Sequence, residues 1–272
     1  ILNINKVNAP KLLSNHYMNN MVEISDLGEK SFYDYVILKK NKLNDYKSLV
    51  KLIIKIQKIK VKKSYKLGKF KVKFLKYTLN NLHKESDLFF DWYLKYCLKE
   101  KNISKIKRLL RKELNKVYKK LKFSNNTFVH RDFHVSNIML KKKTLGLIDS
   151  QDAIIGNPLY DIASLIDDVR IRLPNNLQNN LLEFYHKNSQ LKKDNIESLK
   201  NDFDILSVQR NFKILGIFVR LSKRDGKNNY LKFLPYAWTL IEKRLKNPIF
   251  KNFNILMNKN LPIKKLRKLN KI

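Results

Sequence analysis

Three residues in one stretch of this chain have the types and spacing to do chemistry: Asp132, Asn137 and Asp149. Asp132 follows His130 and Arg131, Asn137 comes five positions later, and Asp149 closes the apolar run Leu145–Ile148. One carboxylate that can take a proton, followed by two hard oxygen donors, suits phosphoryl transfer. That reaction asks a protein to orient and deprotonate a hydroxyl and to hold magnesium on nucleotide phosphates. In this reading Asp132 is the catalytic carboxylate, Asn137 and Asp149 are the metal ligands, and the oxygen set favours magnesium over zinc. His130 and His134 also sit close together, but no cysteine or third histidine joins them at ligand spacing, so they read as loop braces.

The surrounding elements agree with that chemistry. Phe128 and Val129 form a short strand, Ile138–Lys141 a second, and Leu145–Ile148 a third that ends at Asp149. The order H-R-D-x-x-x-x-N, strand, turn, strand, Asp is the arrangement of a protein-kinase-like active site.

On these residues the chain resembles the aminoglycoside phosphotransferase and choline kinase superfamily. Within it, the chain is more similar to bacterial anomeric kinases of N-acetylmuramate and N-acetylglucosamine in cell-wall recycling. The passages that carry the closer likeness are H-R-D-F-H-V-S-N-I-M (130–139), L-I-D-S-Q-D-A-I-I-G-N-P-L-Y-D-I-A-S-L-I-D-D-V-R (147–170) and Q-R-N-F-K-I-L-G-I-F-V-R-L-S-K-R-D-G-K (209–227). The resemblance implies an α+β, protein-kinase-like fold with a mostly helical large lobe and an incomplete N-terminal β lobe. It implies ATP and Mg2+ as cofactors and a small sugar as acceptor. It also implies that Asp161 holds the catalytic loop, with His130 and Arg131 in support. Ser25-Asp26-Leu27-Gly28 resembles the hinge that binds adenine, with Ser25 where the family has an acidic residue. A second departure is Ser150, where the family usually carries an aromatic ring; it puts the packing behind Asp149 in doubt.

Other residues carry weaker expectations. Glu85 and Asp87 resemble positions that face the sugar, and equally a solvated helix start near Ser86-Asp87. Gln151 and Asp152 follow the metal-binding strand. Arg210 and Arg220 have guanidinium forks that suit a carboxylate-bearing sugar. Asp167 and Asp168 read as surface charges.

The apolar spacing predicts helices over Asp45–Ile59, from Ser86 through Tyr96, over Ile103–Val117, Leu159–Val169, Leu177–His186, Ser207–Ser222 and Tyr230–Leu245. Met21–Ile24 reads as a strand, Ser31–Val36 as a helix, and Gly68 as part of a basic connection. Residues 1–28 read as the remnant of a small lobe plus hinge, 29–245 as the catalytic lobe, and 246–272 as a basic, weakly patterned segment. Only about twenty residues precede the hinge, too few for a phosphate loop and a lysine-bearing strand, so the expectation is a sequence that begins part-way through the small lobe.

At 272 residues with 43% hydrophobic content the chain can bury a sizeable core. Cys97 is the single cysteine, which excludes an internal disulfide and fits a reducing cytoplasm. No apolar run approaches the roughly 20 residues of a membrane span, and the first residues lack a signal-peptide pattern. The charge is +35, with lysines in every segment. It reads as a composition bias, so no specific nucleic acid is expected as partner. The alternatives are a kinase of an aminoglycoside, choline or homoserine, and a noncatalytic nucleotide- or nucleic-acid-binding relative. A cationic aminoglycoside matches a chain of this charge poorly. Oligomeric state is not legible in the sequence.

Overall fold

The structure is a computed structural model that describes residues 1–62, 64–67, 70–98 and 103–267. Gly68 therefore lies outside the described residues. Elements are numbered along the chain. They fall into two compact units, the first made of Ile1–Lys76, Asn125–Asp168 and Leu173–Lys193, the second of Tyr77–Ser124, Val169–Arg172 and Asp194–Ile272.

The first unit holds four antiparallel strand pairs. β1 (Leu12–His16) pairs with β2 (Met21–Ile24), and β3 (Ser64–Leu67) pairs with β4 (Phe70–Lys73). β5 (Thr127–Val129) pairs with β8 (Ile154–Gly156), and β6 (Ile138–Lys141) with β7 (Thr144–Leu147). β1, β3, β4 and β8 were not expected from sequence. β1, β3 and β8 are short with little apolar alternation, and β4 (Phe70-Lys71-Val72-Lys73) alternates but sits in a basic run that reads as a connection until its pairing with β3 is seen.

Four helices complete this unit. α1 (Phe32–Val36) starts at a capping box in which Ser31 Oγ accepts from Asp34 N and Ser31 N donates back to the Asp34 carboxylate. α2 (Leu43–Gln57) buries Leu49, Ile53 and Ile56 of the stripe its spacing predicts, with Tyr46 and Val50 beside them, while Leu52 is only half-buried. α6 (Leu159–Ile166) is buried at all eight positions, and α7 (Asn175–Asn188) follows Pro174. Gln57 of α2 donates to Pro158 O (2.7 Å) and accepts from Tyr185 OH (2.9 Å), tying α2, α6 and α7 together.

The second unit is helical. α3 (Leu79–Leu88) is capped by Thr78, continues through a π-helical stretch (Phe89–Leu94) and ends in α4 (Lys95–Cys97); α5 is Ile103–Tyr118. The helix thus begins seven residues before Ser86, because the Thr78–Asn81 capping box satisfies the first turn's donors. α8 (Ile196–Asp225) runs thirty residues from an Asn195 cap to the left-handed Gly226, absorbing the predicted Ser207–Ser222 helix. α9 (Leu234–Arg244), α10 (Lys251–Asn260) and α11 (Ile263–Arg267) follow. Among the described residues the segment after Asn247 is therefore largely helical, and it buries Phe250, Phe253 and Met257.

The core of this unit is aromatic: Phe89 stacks on Phe212 at 4.6 Å, and Trp238 Nε1 donates to Tyr93 OH (2.7 Å). α8 crosses the end of α3 at Gly216. A Cβ there would lie 2.3 Å from the Leu88 carbonyl, so no larger residue fits. No described helix is long and apolar enough to cross a membrane.

Candidate active site

The catalytic loop is assembled by buried polar contacts. Asp161, on the first turn of α6 and fully buried, accepts from His130 N (2.8 Å) and Arg131 N (3.0 Å). Those bonds hold Arg131 at φ 75°, a left-handed conformation that costs a non-glycine residue roughly 1–2 kcal/mol. His130 is also buried, and its Nε2 sits 3.0 Å from Ile148 O, so Nε2 must carry the proton. Burial pushes its pKa below the ordinary 6.5, which keeps the ring neutral. This bond links the loop to the residue before Asp149, the brace expected for His130.

Asp132 and Asn137 are half-buried and Asp149 is exposed. Asn137 Nδ2 donates to Asp132 O (3.1 Å) and reaches Asp149 Oδ2 (3.3 Å), while Asn137 O accepts from Ile148 N (3.0 Å). The three residues whose spacing suggested chemistry are thus one cluster. Asp149 also takes positive φ (64°), the second strained residue of the site. Gln151 Nε2 donates to Asp149 Oδ1 (2.6 Å), and Arg131 reaches the Asp152 carbonyl (3.4 Å). Ser150 lines a concavity of about 200 Å³ together with Leu2, Ala9, Pro10, Phe74, Phe128 and Ala153.

The hinge-like segment belongs to the same unit. Ser25 pairs with Lys11 through both backbone and Oγ (2.8 and 2.9 Å). Leu27 is buried and packs over Gly146 of β7, where a Cβ would lie 2.9 Å from Leu27 Cδ1 and force that side chain to shift. Asp26 is exposed; its bond from Lys141 Nζ (2.9 Å), then that from Gly28 N (2.7 Å), hold its carboxyl below the usual range. Segment 25–28 therefore lies against the β6–β7 hairpin whose ends lead to Asn137 and Asp149.

Two expectations need correction. Asp167 and Asp168 are not surface charges; both are buried. Asp168 sits beside the loop, 3.4 Å from Val135 N, because α6 ends under the turn Val135–Asn137. Asp87 does not open a helix either. It lies at the end of α3, within 3.3 Å of Arg111 and 3.7 Å of Lys107 on α5.

Glu85, Asp87 and Arg210 belong to the second unit. Glu85 is buried and accepts from Tyr77 OH (2.6 Å) and Gln209 Nε2 (2.9 Å), with Lys213 Nζ at 3.5 Å. Arg210 is 4% exposed, and its Nη1 is buried without a hydrogen-bond partner. The roles of Gln209, Lys213 and Tyr77 around Glu85 were not read from sequence. The i, i+4 spacing of Gln209 and Lys213 on one helix face was the available signal. Among the described residues no group of three or more His, Cys, Asp or Glu could hold a metal.

A half-buried aspartate on a pinned loop, joined through an asparagine to a strand-end aspartate, has the donor set that a kinase-like phosphotransferase requires. The chain belongs to the phosphotransferase enzyme family, whose sequence pattern matches residues 4–198. It is 29% identical over 254 residues to a Pseudomonas aeruginosa protein named N-acetylmuramate/N-acetylglucosamine kinase, covering 88% of this chain and 70% of that one. A protein of the same name from Neisseria meningitidis is 26% identical over 233 residues, covering 84% and 68%. Among solved structures, the fold is similar to Plasmodium vivax ethanolamine kinase (TM-score 0.60, 15% identity, 93% of this chain and 70% of that one). It is also similar to the aminoglycoside phosphotransferase APH(2")-IIa in a gentamicin complex (TM-score 0.59, 14% identity, 87% and 76%). The α+β, kinase-like fold expected from sequence is the one observed.

Proposed function

We propose that the chain is an ATP-dependent sugar kinase that moves the γ-phosphate to the anomeric hydroxyl of N-acetylmuramate or N-acetylglucosamine. The observation that carries this reading is the Asn137 amide, which joins the Asp132 carbonyl to the Asp149 carboxylate at 3.1 and 3.3 Å. The names of the two bacterial relatives supply the acceptor.

Asp132 orients the acceptor hydroxyl and accepts its proton as the oxygen attacks. Asp161 and His130 keep the loop in the strained conformation that presents Asp132. Asn137 and Asp149 fit magnesium: both are oxygen-bearing, adjacent and accessible, and magnesium takes one or two protein ligands with water and substrate phosphate completing its shell. Bound there, the ion would neutralise charge on the transferring phosphate. Ser25–Leu27 would present backbone groups to adenine. Glu85, Asp87, Gln151, Asp152 and Arg210 are the candidate acceptor contacts, Arg210 for a carboxylate-bearing sugar. The small lobe, catalytic lobe and basic tail remain a proposed division, as does a cytoplasmic setting.

The test is an acceptor panel of N-acetylmuramate, N-acetylglucosamine, an aminoglycoside, choline and homoserine, assayed with ATP and magnesium. The amino sugars should be phosphorylated to an acid-labile product, as an anomeric phosphate must be. Turnover of choline, homoserine or the aminoglycoside in preference to both sugars would reject the assignment.

A further inference from the structure

The lysines are not spread evenly. Residues 58–76 contain nine lysines and no aspartate or glutamate, where the average of 58 basic residues in 272 predicts about four. Four of the nine converge. Lys58, Lys60, Lys62 and Lys76 line a concavity of about 630 Å³ in the first unit, with Ile59, Phe74 and Ile155 as its apolar part and Asn126 and Gln190 as its amides.

Its shape comes from the local chain. After α2 the run Lys58-Ile59-Lys60-Val61-Lys62 alternates basic and apolar residues: Ile59 is buried, Val61 half-buried, and the three lysines exposed. Lys58 caps the end of α2 in a helical conformation, and beyond it the alternation leaves Lys60 and Lys62 exposed beside the apolar Ile59 and Val61. Lys76 enters from the bridge between Lys76 and Ile155 of β8, and Phe74 is held against Phe128 at 6.0 Å.

No carboxylate lines this concavity, and among the described residues no ion pair or hydrogen bond engages the side chains of these four lysines. A concavity of similar size in the second unit, about 660 Å³, shows the contrast. It too is lined by Lys107, Arg108, Arg111 and Lys112, but Lys107 pairs with Asp91 at 2.7 Å and Arg111 with Asp87 at 3.3 Å. Acids of the protein thus pair two of that site's four cations, whereas among the described residues they pair none of the four lysines of the Lys58–Lys76 site.

We propose that the Lys58, Lys60, Lys62 and Lys76 concavity binds a phosphorylated small molecule, distinct from the substrates of the Asp132 site. Its volume lies within the usual range for small ligands, and its mix of apolar wall, amides and cations suits a compact body carrying several negative charges. Ammonium groups bind phosphate as point charges without demanding one geometry. Like charges crowded around one concavity raise its potential, and an anion relieves that repulsion.

The probe is inorganic tripolyphosphate, followed by calorimetry and thermal shift at constant ionic strength, with a saturating non-hydrolysable ATP analogue present. Two variants of equal charge decide the outcome. Lys60→Gln/Lys62→Gln/Lys76→Gln removes three lining lysines; Lys105→Gln/Lys119→Gln/Lys120→Gln removes three exposed lysines of the second unit. The first should weaken binding by roughly tenfold or more, as expected for losing charge-assisted contacts, and keep sugar phosphorylation and the unliganded melting temperature. The second should change binding less than about twofold, the size of a bulk-charge effect. Equal weakening in both variants, or in neither, would overturn the site. An affinity for single-stranded oligonucleotides that rises with length and exceeds that for tripolyphosphate would overturn the small-ligand assignment.

Discussion

Two loops in this molecule are built on one device and end with different roles. In the first unit Asp161 accepts from the consecutive backbone amides of His130 and Arg131; in the second, Asp202 accepts from those of Lys122 (2.8 Å) and Phe123 (2.9 Å). Both aspartates are fully buried on helices. The difference lies in the residues on the C-terminal side of each pinned pair. After Lys122–Phe123 come ordinary turn residues leading to β5. After His130–Arg131 come positive φ at Arg131, a half-buried Asp132, and Asn137 bound to the exposed, positive-φ Asp149. A buried aspartate marks a pinned loop. Backbone strain and carboxylates left accessible mark the loop proposed to act.

Replacing each pin with alanine separates the two roles. Asp161→Ala should lower turnover by about a hundredfold or more, since a loop displaced by an ångström is enough for that, and should also lower stability by about 3 kcal/mol through two stranded amides. Asp202→Ala should show a similar stability loss in denaturant titrations with turnover per folded molecule close to wild type. Equal activity losses in the two would erase the contrast.

A smaller effect comes from strain itself. Arg131→Gly removes the left-handed penalty while leaving both backbone bonds to Asp161 in place. Melting temperature should stay level or rise slightly, by the equivalent of about 1 kcal/mol at most. A marked fall would show that the Arg131 side chain, not the backbone, secures the loop.

The smallest effect is on pH. His130 has a folded pKa below 6.5, so the unfolded chain binds its proton first. Its contribution to stability is complete above about pH 6.5 and is lost as pH falls through the lower folded value. Between pH 7 and 5 the wild type should therefore lose more melting temperature than His130→Gln. Parallel curves would mean that His130 is not held neutral by burial.

The same contrast governs how much of the molecule was legible in the sequence. The grouping of Asp132, Asn137 and Asp149 was readable because chemistry fixes their types and short-range spacing, whereas Asp161, thirty residues from the amides it holds, came only with the family resemblance. The Met21–Ile24 strand, α2 and α5 were readable from local periodicity. Asp202 was not, since its amides lie eighty residues away. Asp167 and Asp168 misled for a related reason: two adjacent acids look solvated until α6 is seen to end beneath Val135. β8 was invisible because three residues, Ile154–Gly156, gain strand character only by pairing with Thr127–Val129. Ser86 looked like a helix start because Thr78 lies beyond the apolar window. Burial decided Asp167, Asp168 and Asp202, pairing decided β8, and a cap outside the apolar window decided the start of α3.

The central claim is that Asp132 performs the proton transfer while Asn137 and Asp149 serve the nucleotide's metal. The direct measurement is single-turnover phosphorylation of N-acetylmuramate by wild type and Asp132→Asn, with ATP affinity measured alongside in magnesium. Turnover should fall by roughly a thousandfold, in the range for losing a general base, with ATP affinity changed less than about threefold. Turnover within tenfold of wild type, at unchanged ATP affinity, would contradict the assignment of Asp132.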